Sequence, residues 1–260
     1  MVALAGGGLE EVWGGHYRWG REPRRQFYAA STMKVAVLIA TYRRQDRGEL
    51  DLAEPVLVRT EFASLVDGSP YVMDPEEVDA DLAARQGENL ALGELVERMI
   101  TVSSNEATNL VLERVGLREV ASVLSDLRAE GTVVARPIGD RAARAAGITN
   151  LVTPAGLARL LAAIALGRAA SPDACREMVA VLGRQQYRDE IPAGLPPGVR
   201  TASKNGWVTG ILHDAALVWP PGGEPYCLAV CTEGFGDREA ARTAIREVAG
   251  CCHAQWTGGG

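Results

Sequence analysis

The hydrophobic pattern changes character twice along the chain. Residues 1–30 hold two stretches rich in aromatic and branched side chains, EVWGGHYRW and RRQFYAA, joined by GREP. They predict two short strands and a turn. From residue 31 the run STMKVAVLIATYRRQ is apolar, lacks Gly and Pro and opens on Ser-Thr, which predicts a buried helix with an N-cap. Apolar positions three and four apart then recur in LALGELVERMITV, in NEATNLVLERV and, after Gly116, in LREVASVLSDLRAEG, which ends on a glycine. TPAGLARLLAAIALG predicts a further helix, with Thr153 as cap and Pro154 in its first turn, and SPDACREMVAVLG another. The last third returns to strands, where GILHDAALVW and EPYCLAVCTEG flank the turn PPGG before a closing helix, DREAARTAIREVAGCCHAQW.

Strands at both ends and helices between them predict an α+β fold. One antiparallel sheet takes strands from both termini, and an all-helical lobe is inserted. A single domain over 1–260 is expected, with sub-lobes at about 1–30 plus 190–260 and 31–189. A ligand site is expected in the cleft between them.

Composition narrows the function. Hydrophobic residues make up 47% and charged residues 23%, which excludes a disordered or collagen-like chain. A net charge of -6 without a Lys/Arg run argues against a nucleic-acid partner. No segment reaches the roughly 18 apolar residues of a membrane helix. The start MVALAGGGLEEVW lacks a basic leader region, so a cytoplasmic protein is expected unless a leader has been removed. The five cysteines form no disulfide framework, and none of the three histidines pairs with one at metal-ligand spacing, so neither metal nor cofactor is expected.

Three short motifs carry the candidate chemistry. Ser31 and Lys34 lie one helical turn apart. A serine hydroxyl needs a nearby base, and a buried lysine with a lowered pKa can be one. S-x-x-K alone is weak, since roughly one instance arises by chance at this length. Lys34 is, however, the only charge in the apolar stretch Phe27–Tyr42. The second motif is Ser103-Ser104-Asn105, at the start of a helix, where an N-cap cluster is the plain structural alternative. The third, Lys204-Asn205-Gly206, lies on a strand, where a glycine often marks close backbone approach.

In this order the three motifs resemble the S-x-x-K, S-D-N and K-T-G signature of class A β-lactamases and penicillin-binding proteins. The resemblance runs from about Phe27 to the C-terminus, through AASTMKVAVLIA, ERMITVSSNEATNLVLERVG and KNGWVTGILHDAALVW. It implies an antiparallel sheet with flanking helices and a helical domain. It implies Ser31 as acylated nucleophile, Lys34 as the group that takes or relays its proton, and Ser103 as proton donor to the leaving nitrogen. Asn105 would hold the substrate's side-chain amide and Lys204 would stabilise charge. The N–H groups of Ser31 and Trp207 would form an oxyanion hole. Asn205, Gly206, Trp207 and His213 are the further substrate-binding candidates.

The departures are specific. Ser104 stands where the family usually has Asp, and Asn205 where it has a hydroxyl. His213-Asp214 falls near the position of a carboxylate-binding arginine. At most one of those two faces the site, since neighbours on a strand point to opposite faces. The family's N-terminal helix is missing or very short. The loop RPIGDRAARAAGITNLV has no glutamate to activate a deacylating water, and its only carboxylate is Asp140, either a replacement base or a salt-bridged loop residue. The expected function is a class A-type serine acyl hydrolase acting on a small lactam, amide or ester. The alternatives are a penicillin-binding-like or transacylating enzyme with slow deacylation, and a non-enzymatic lactam or peptide sensor. Glu61, Tyr71 and Asp74 lie where the family's lobe borders the cleft and carry no assigned role.

Overall fold

A computed structural model describes residues 1–258. Its main sheet has five antiparallel strands: β1 (Val2–Gly8), β2 (Trp19–Arg21), β3 (Arg200–Val208), β4 (Ile211–Trp219) and β5 (Tyr226–Glu233). Their spatial order is β2-β1-β5-β4-β3, so strands from both termini share one sheet and β3 is an edge. The seven longer helices are α1 (Lys34–Asp46), α2 (Leu92–Thr101), α3 (Asn105–Val115), α4 (Leu117–Asp126), α5 (Pro154–Ala165), α6 (Pro172–Gly183) and α7 (Arg238–Thr257). None is long and apolar enough to cross a membrane.

The N-terminal expectation needs correction. The first strand is VALAGGG, and EVW falls in a five-residue helix, Leu9–Trp13. Small side chains suit β1 because Ala3 and Ala5 face α5 at no exposure. A Cβ at Gly6 would lie 2.6 Å from Cys227 O of β5. Phe27–Tyr28 is a two-residue strand that leaves the main sheet and pairs with Leu151–Val152. The helix expected to run to Gly131 ends at Asp126, and Arg128 then turns the chain with φ 51°.

Strand alternation decides what faces the site. Ala215, Leu217, Cys227, Ala229 and Cys231 point into the core that holds α1 and α5. Leu212, Ala216, Val218, Leu228 and Val230 point into a second core under α7. Cross-strand partners share a face, so Lys204 (opposite Ala215) and Gly206 (opposite His213) lie on the α1 side. Asn205, opposite Asp214, lies on the α7 side. Helix α1 is buried on all sides from Lys34 to Tyr42, as an all-apolar helix must be, and packs against α3, α4, α5 and α6.

Candidate active site

Ser31 sits in a 3-10 turn, Ala30–Met33, that leads straight into α1. It is therefore not the side-chain cap expected from Ser-Thr; the turn has no side-chain cap, and Thr32 Oγ1 donates to Ala29 O at 2.6 Å. Ala30 is held at φ 45°, a conformation that costs a non-glycine residue about 1 kcal/mol or more. Two contacts hold this turn in place. A Cβ at Gly206 would lie 2.5 Å from Ser31 N and 2.8 Å from Thr32 N, so only glycine lets β3 approach Ser31 this closely. His213 supplies the second. Its Nδ1 accepts from Thr232 N at 3.2 Å, which leaves Nε2 to donate to Tyr28 O at 3.0 Å.

His213 is thus a correction. It is fully buried, packed edge-on against Phe27, and both ring nitrogens are occupied by protein. Burial pushes its pKa down to about 4, so it is neutral and anchors the chain entering Ser31 instead of meeting a substrate.

The two lysines and the second motif converge on one oxygen. Lys34 Nζ lies 3.2 Å from Ser103 Oγ, and Lys204 Nζ lies 3.0 Å from it. Lys34 also donates to Ser103 O (2.6 Å) and to Asn105 Oδ1 (3.0 Å), while Lys204 donates to Asn205 O (2.8 Å). Ser103 presents its hydroxyl to both amines from a backbone at φ 58°. The helix cap is its neighbour Ser104, whose Oγ accepts from Ala107 N at 3.2 Å. Asn105 donates from Nδ2 to Glu77 O at 3.1 Å, which leaves its second N–H for a ligand.

Two fully buried amines this close cannot both stay charged. Burial, then the charge of Lys204, lowers the Lys34 pKa well below that of a free lysine. Burial lowers Lys204 as well, but the carboxylates Asp214 and Glu190 oppose the shift and leave it at about 7. The proton of the pair therefore belongs on Lys204, and Lys34 is the neutral amine that can accept one.

The third motif is split by the sheet. Asn205 is buried on the α7 face and donates from Nδ2 to Glu190 Oε2 at 3.0 Å, so its side chain does not reach the substrate side. That corrects its assignment as a substrate ligand. Glu190 in turn pairs with Arg242 (3.3 Å), and Asp214 Oδ2 accepts from Ile191 N (2.9 Å). Asn205 Oδ1 and Asp214 Oδ1 have no hydrogen-bond partner among the described residues. Burial, with Glu190 beside it, raises the Asp214 pKa to about 7.

Asp140 lines the pocket beside Ser31 but is engaged by the protein. Its Oδ1 accepts from Ser64 Oγ (3.0 Å) and from Ala143 N (2.9 Å), and its Oδ2 from Leu65 N (2.8 Å). It caps the short helix Arg141–Ala145 and ties the loop to the hairpin Glu61–Ala63/Pro70–Val72. The salt bridge expected of it goes elsewhere, since Arg141 pairs with Asp74. Asp140→Ala should therefore lower Tm by several degrees, for a lost cap and buried hydrogen bonds worth about 1–3 kcal/mol, while changing release of a Ser31 adduct less than about twofold. Thermal melts beside adduct decay check this; a tenfold slower release at unchanged Tm would make Asp140 the base.

The rest of the loop is fixed by residues that the motif reading missed. Asn109, four residues after Asn105 on α3, clamps Ile138 by accepting from its N (2.8 Å) and donating to its O (2.9 Å). Tyr71 OH donates to the same Ile138 carbonyl (3.1 Å). Asn150 accepts from the N–H groups of Ala135 and Arg136 (2.8 and 3.1 Å) and donates to Met33 Sδ (3.0 Å), linking the loop to the turn that carries Ser31. Ile138 consequently lines the same pocket as Ser31, together with Asn105, Trp207 and Arg144. A larger cleft beside it adds Ser103 and Tyr187. Trp207 packs its ring between Tyr187 (5.1 Å) and the Arg238 guanidinium (4.1 Å) at the cleft edge. A groove of about 680 Å³ along α5 and α6 contains none of the motif residues.

Comparison with known proteins follows the same outline. Residues 11–256 match the model of the beta-lactamase enzyme family. A beta-lactamase of Streptomyces albus G is 30% identical over 225 residues, covering 83% of this chain and 68% of the relative. The crystal structure of a beta-lactamase from Sphaerobacter thermophilus DSM 20745 superposes with a TM-score of 0.82 at 29% identity, covering 99% of this chain and 92% of that one. A point mutant of PBP-A, solved as an acyl-enzyme complex with penicillin G, superposes with a TM-score of 0.79 at 25% identity, covering 99% and 90%.

Proposed function

This chain belongs to the beta-lactamase enzyme family, and from that premise we propose that it is a serine hydrolase that acylates Ser31 rapidly and releases the acyl group slowly. One observation carries this reading. The groups for acylation converge on Ser103 Oγ, while the loop beside Ser31 presents Ile138 and a carboxylate, Asp140, whose two oxygens accept three hydrogen bonds.

Ser31 Oγ attacks the carbonyl carbon of a lactam, amide or ester, and its proton goes to the neutral Lys34 amine. The hydrogen bond between them forms in the substrate complex, since apo distances often tighten only then. Oxyanion charge is held by the N–H groups of Ser31 and Trp207, which the close approach at Gly206 brings together. The proton passes from Lys34 through Ser103 Oγ to the leaving nitrogen as the C–N bond breaks. The Lys204 cation steadies the Ser103 oxygen during that transfer. Asn105 offers its free N–H to the side-chain carbonyl of the acyl group.

Hydrolysis of the resulting ester needs an activated water. An aliphatic side chain at Ile138 offers that water no acceptor, so the acyl-enzyme accumulates. The penicillin G complex of the PBP-A Leu-to-Glu mutant shows that a protein of this fold forms such an acyl-enzyme. The test is a burst experiment with a chromogenic cephalosporin. One equivalent of opened ring per chain followed by a much slower steady state supports the reading; steady turnover without a burst opposes it.

A further inference from the structure

Three guanidinium groups reach the pocket beside Ser31 from the loop, and two are occupied. Arg136 is buried and donates to Tyr28 OH and to Pro137 O, both at 3.0 Å. Arg141 pairs with Asp74. Arg144 makes no ion pair and no side-chain hydrogen bond among the described residues. Its guanidinium stacks on the Tyr28 ring at 5.5 Å. Stacking uses the π face of the group and leaves its in-plane N–H donors free, in the fork geometry that matches a carboxylate.

The pocket is small, about 120 Å³, and its lining says which part of a substrate enters it. It brings Arg144 together with Ser31, Asn105 and Trp207, the groups around the acyl carbonyl and its side-chain amide, and Arg144 also borders the adjoining larger cleft that holds Ser103. The carboxylates of the pocket and the adjoining cleft leave Arg144 unopposed at contact distance: Asp74 is paired with Arg141, Asp140 accepts three hydrogen bonds, Asp79 and Asp81 pair with Arg98, and Glu76 and Glu77 form no ion pair with Arg144 among the described residues.

We propose that Arg144 is the receptor for an anionic group at the end of the substrate's acyl side chain, so the enzyme prefers acyl donors with a carboxylate-terminated side chain. This rests on the acyl-enzyme reading above. The test uses two penicillins that differ at one point: one carries a dicarboxylic acid as its side-chain amide, with the distal carboxylate free, and the other is its methyl ester. Second-order acylation rate constants are measured by intact mass for the native enzyme, Arg144→Ala and Arg144→Glu. The native enzyme should favour the acid over the ester by about tenfold or more, as expected for one charge-assisted pair. Arg144→Ala should bring that ratio close to one, and Arg144→Glu should invert it, which a loss of folding could not do. A native ratio near one, or a ratio that survives Arg144→Ala, overturns the proposal while leaving acylation intact. Acylation by neither penicillin overturns the acyl-enzyme reading and this inference with it.

Discussion

Ser31→Ala should eliminate every covalent adduct with a penicillin or a cephalosporin while shifting Tm by no more than about 2 °C. The effect on labelling is total because the ester oxygen is removed. The effect on stability is small because Ser31 is only partly buried, and its Oγ makes no hydrogen bond among the described residues. What holds the turn is its surroundings, namely Gly206 against its backbone and His213 against Tyr28 O. Intact mass and a thermal melt on the same sample check both halves. A surviving adduct would place the nucleophile elsewhere.

The second large effect is at Lys34. Lys34→Ala should slow acylation by about 10²–10⁴, the range for loss of a positioned proton acceptor. Because Lys34 is buried and donates to Ser103 O and Asn105 Oδ1, its removal also disturbs the second motif. Lys34→Arg separates the two roles, since a guanidinium keeps the donors but gives up no proton near neutral pH. It should be as slow as Lys34→Ala if Lys34 is the base. The pH dependence follows from which lysine holds the proton. Protonating Lys34 disables it, so kcat/KM falls as pH drops through its lowered pKa. The alkaline limb reports loss of the Lys204 charge, at about 7. A rate independent of pH on the acid side, or an active Lys34→Arg, would contradict this.

Much of this site was legible in the sequence because its chemistry is tied to local spacing. Ser31 and Lys34 sit one turn apart whether the first turn is α or 3-10. A lone lysine in an apolar run announces a buried amine, and Lys34 has no exposure. Alternation along β3 and β4 was legible too, but not which set of residues faces the cleft. The pairing of Asn205 with Asp214 puts Asn205 on the far face, whereas His213 shares the face of Lys204 and Gly206 and is withdrawn by its own hydrogen bonds to Tyr28 O and Thr232 N.

The first strand was missed because Ala and Gly carry little strand preference, and its stability comes from α5 and β5 lying close on either side. Asp140 did carry a readable signal. An Asp before RAARA is an N-cap pattern, and the structure has it as one. Arg144 carried none, since three arginines in one loop look alike until their partners are known.

The most direct test of the central claim is intact-mass spectrometry of the native enzyme against a panel of penicillins and cephalosporins, followed over minutes to hours beside Ser31→Ala. The account predicts a single Ser31-dependent adduct that forms quickly and decays far more slowly than it forms. An adduct that vanishes as fast as it appears, with hydrolysed drug accumulating steadily, would contradict slow release and require an activated water that the Ile138 loop does not provide.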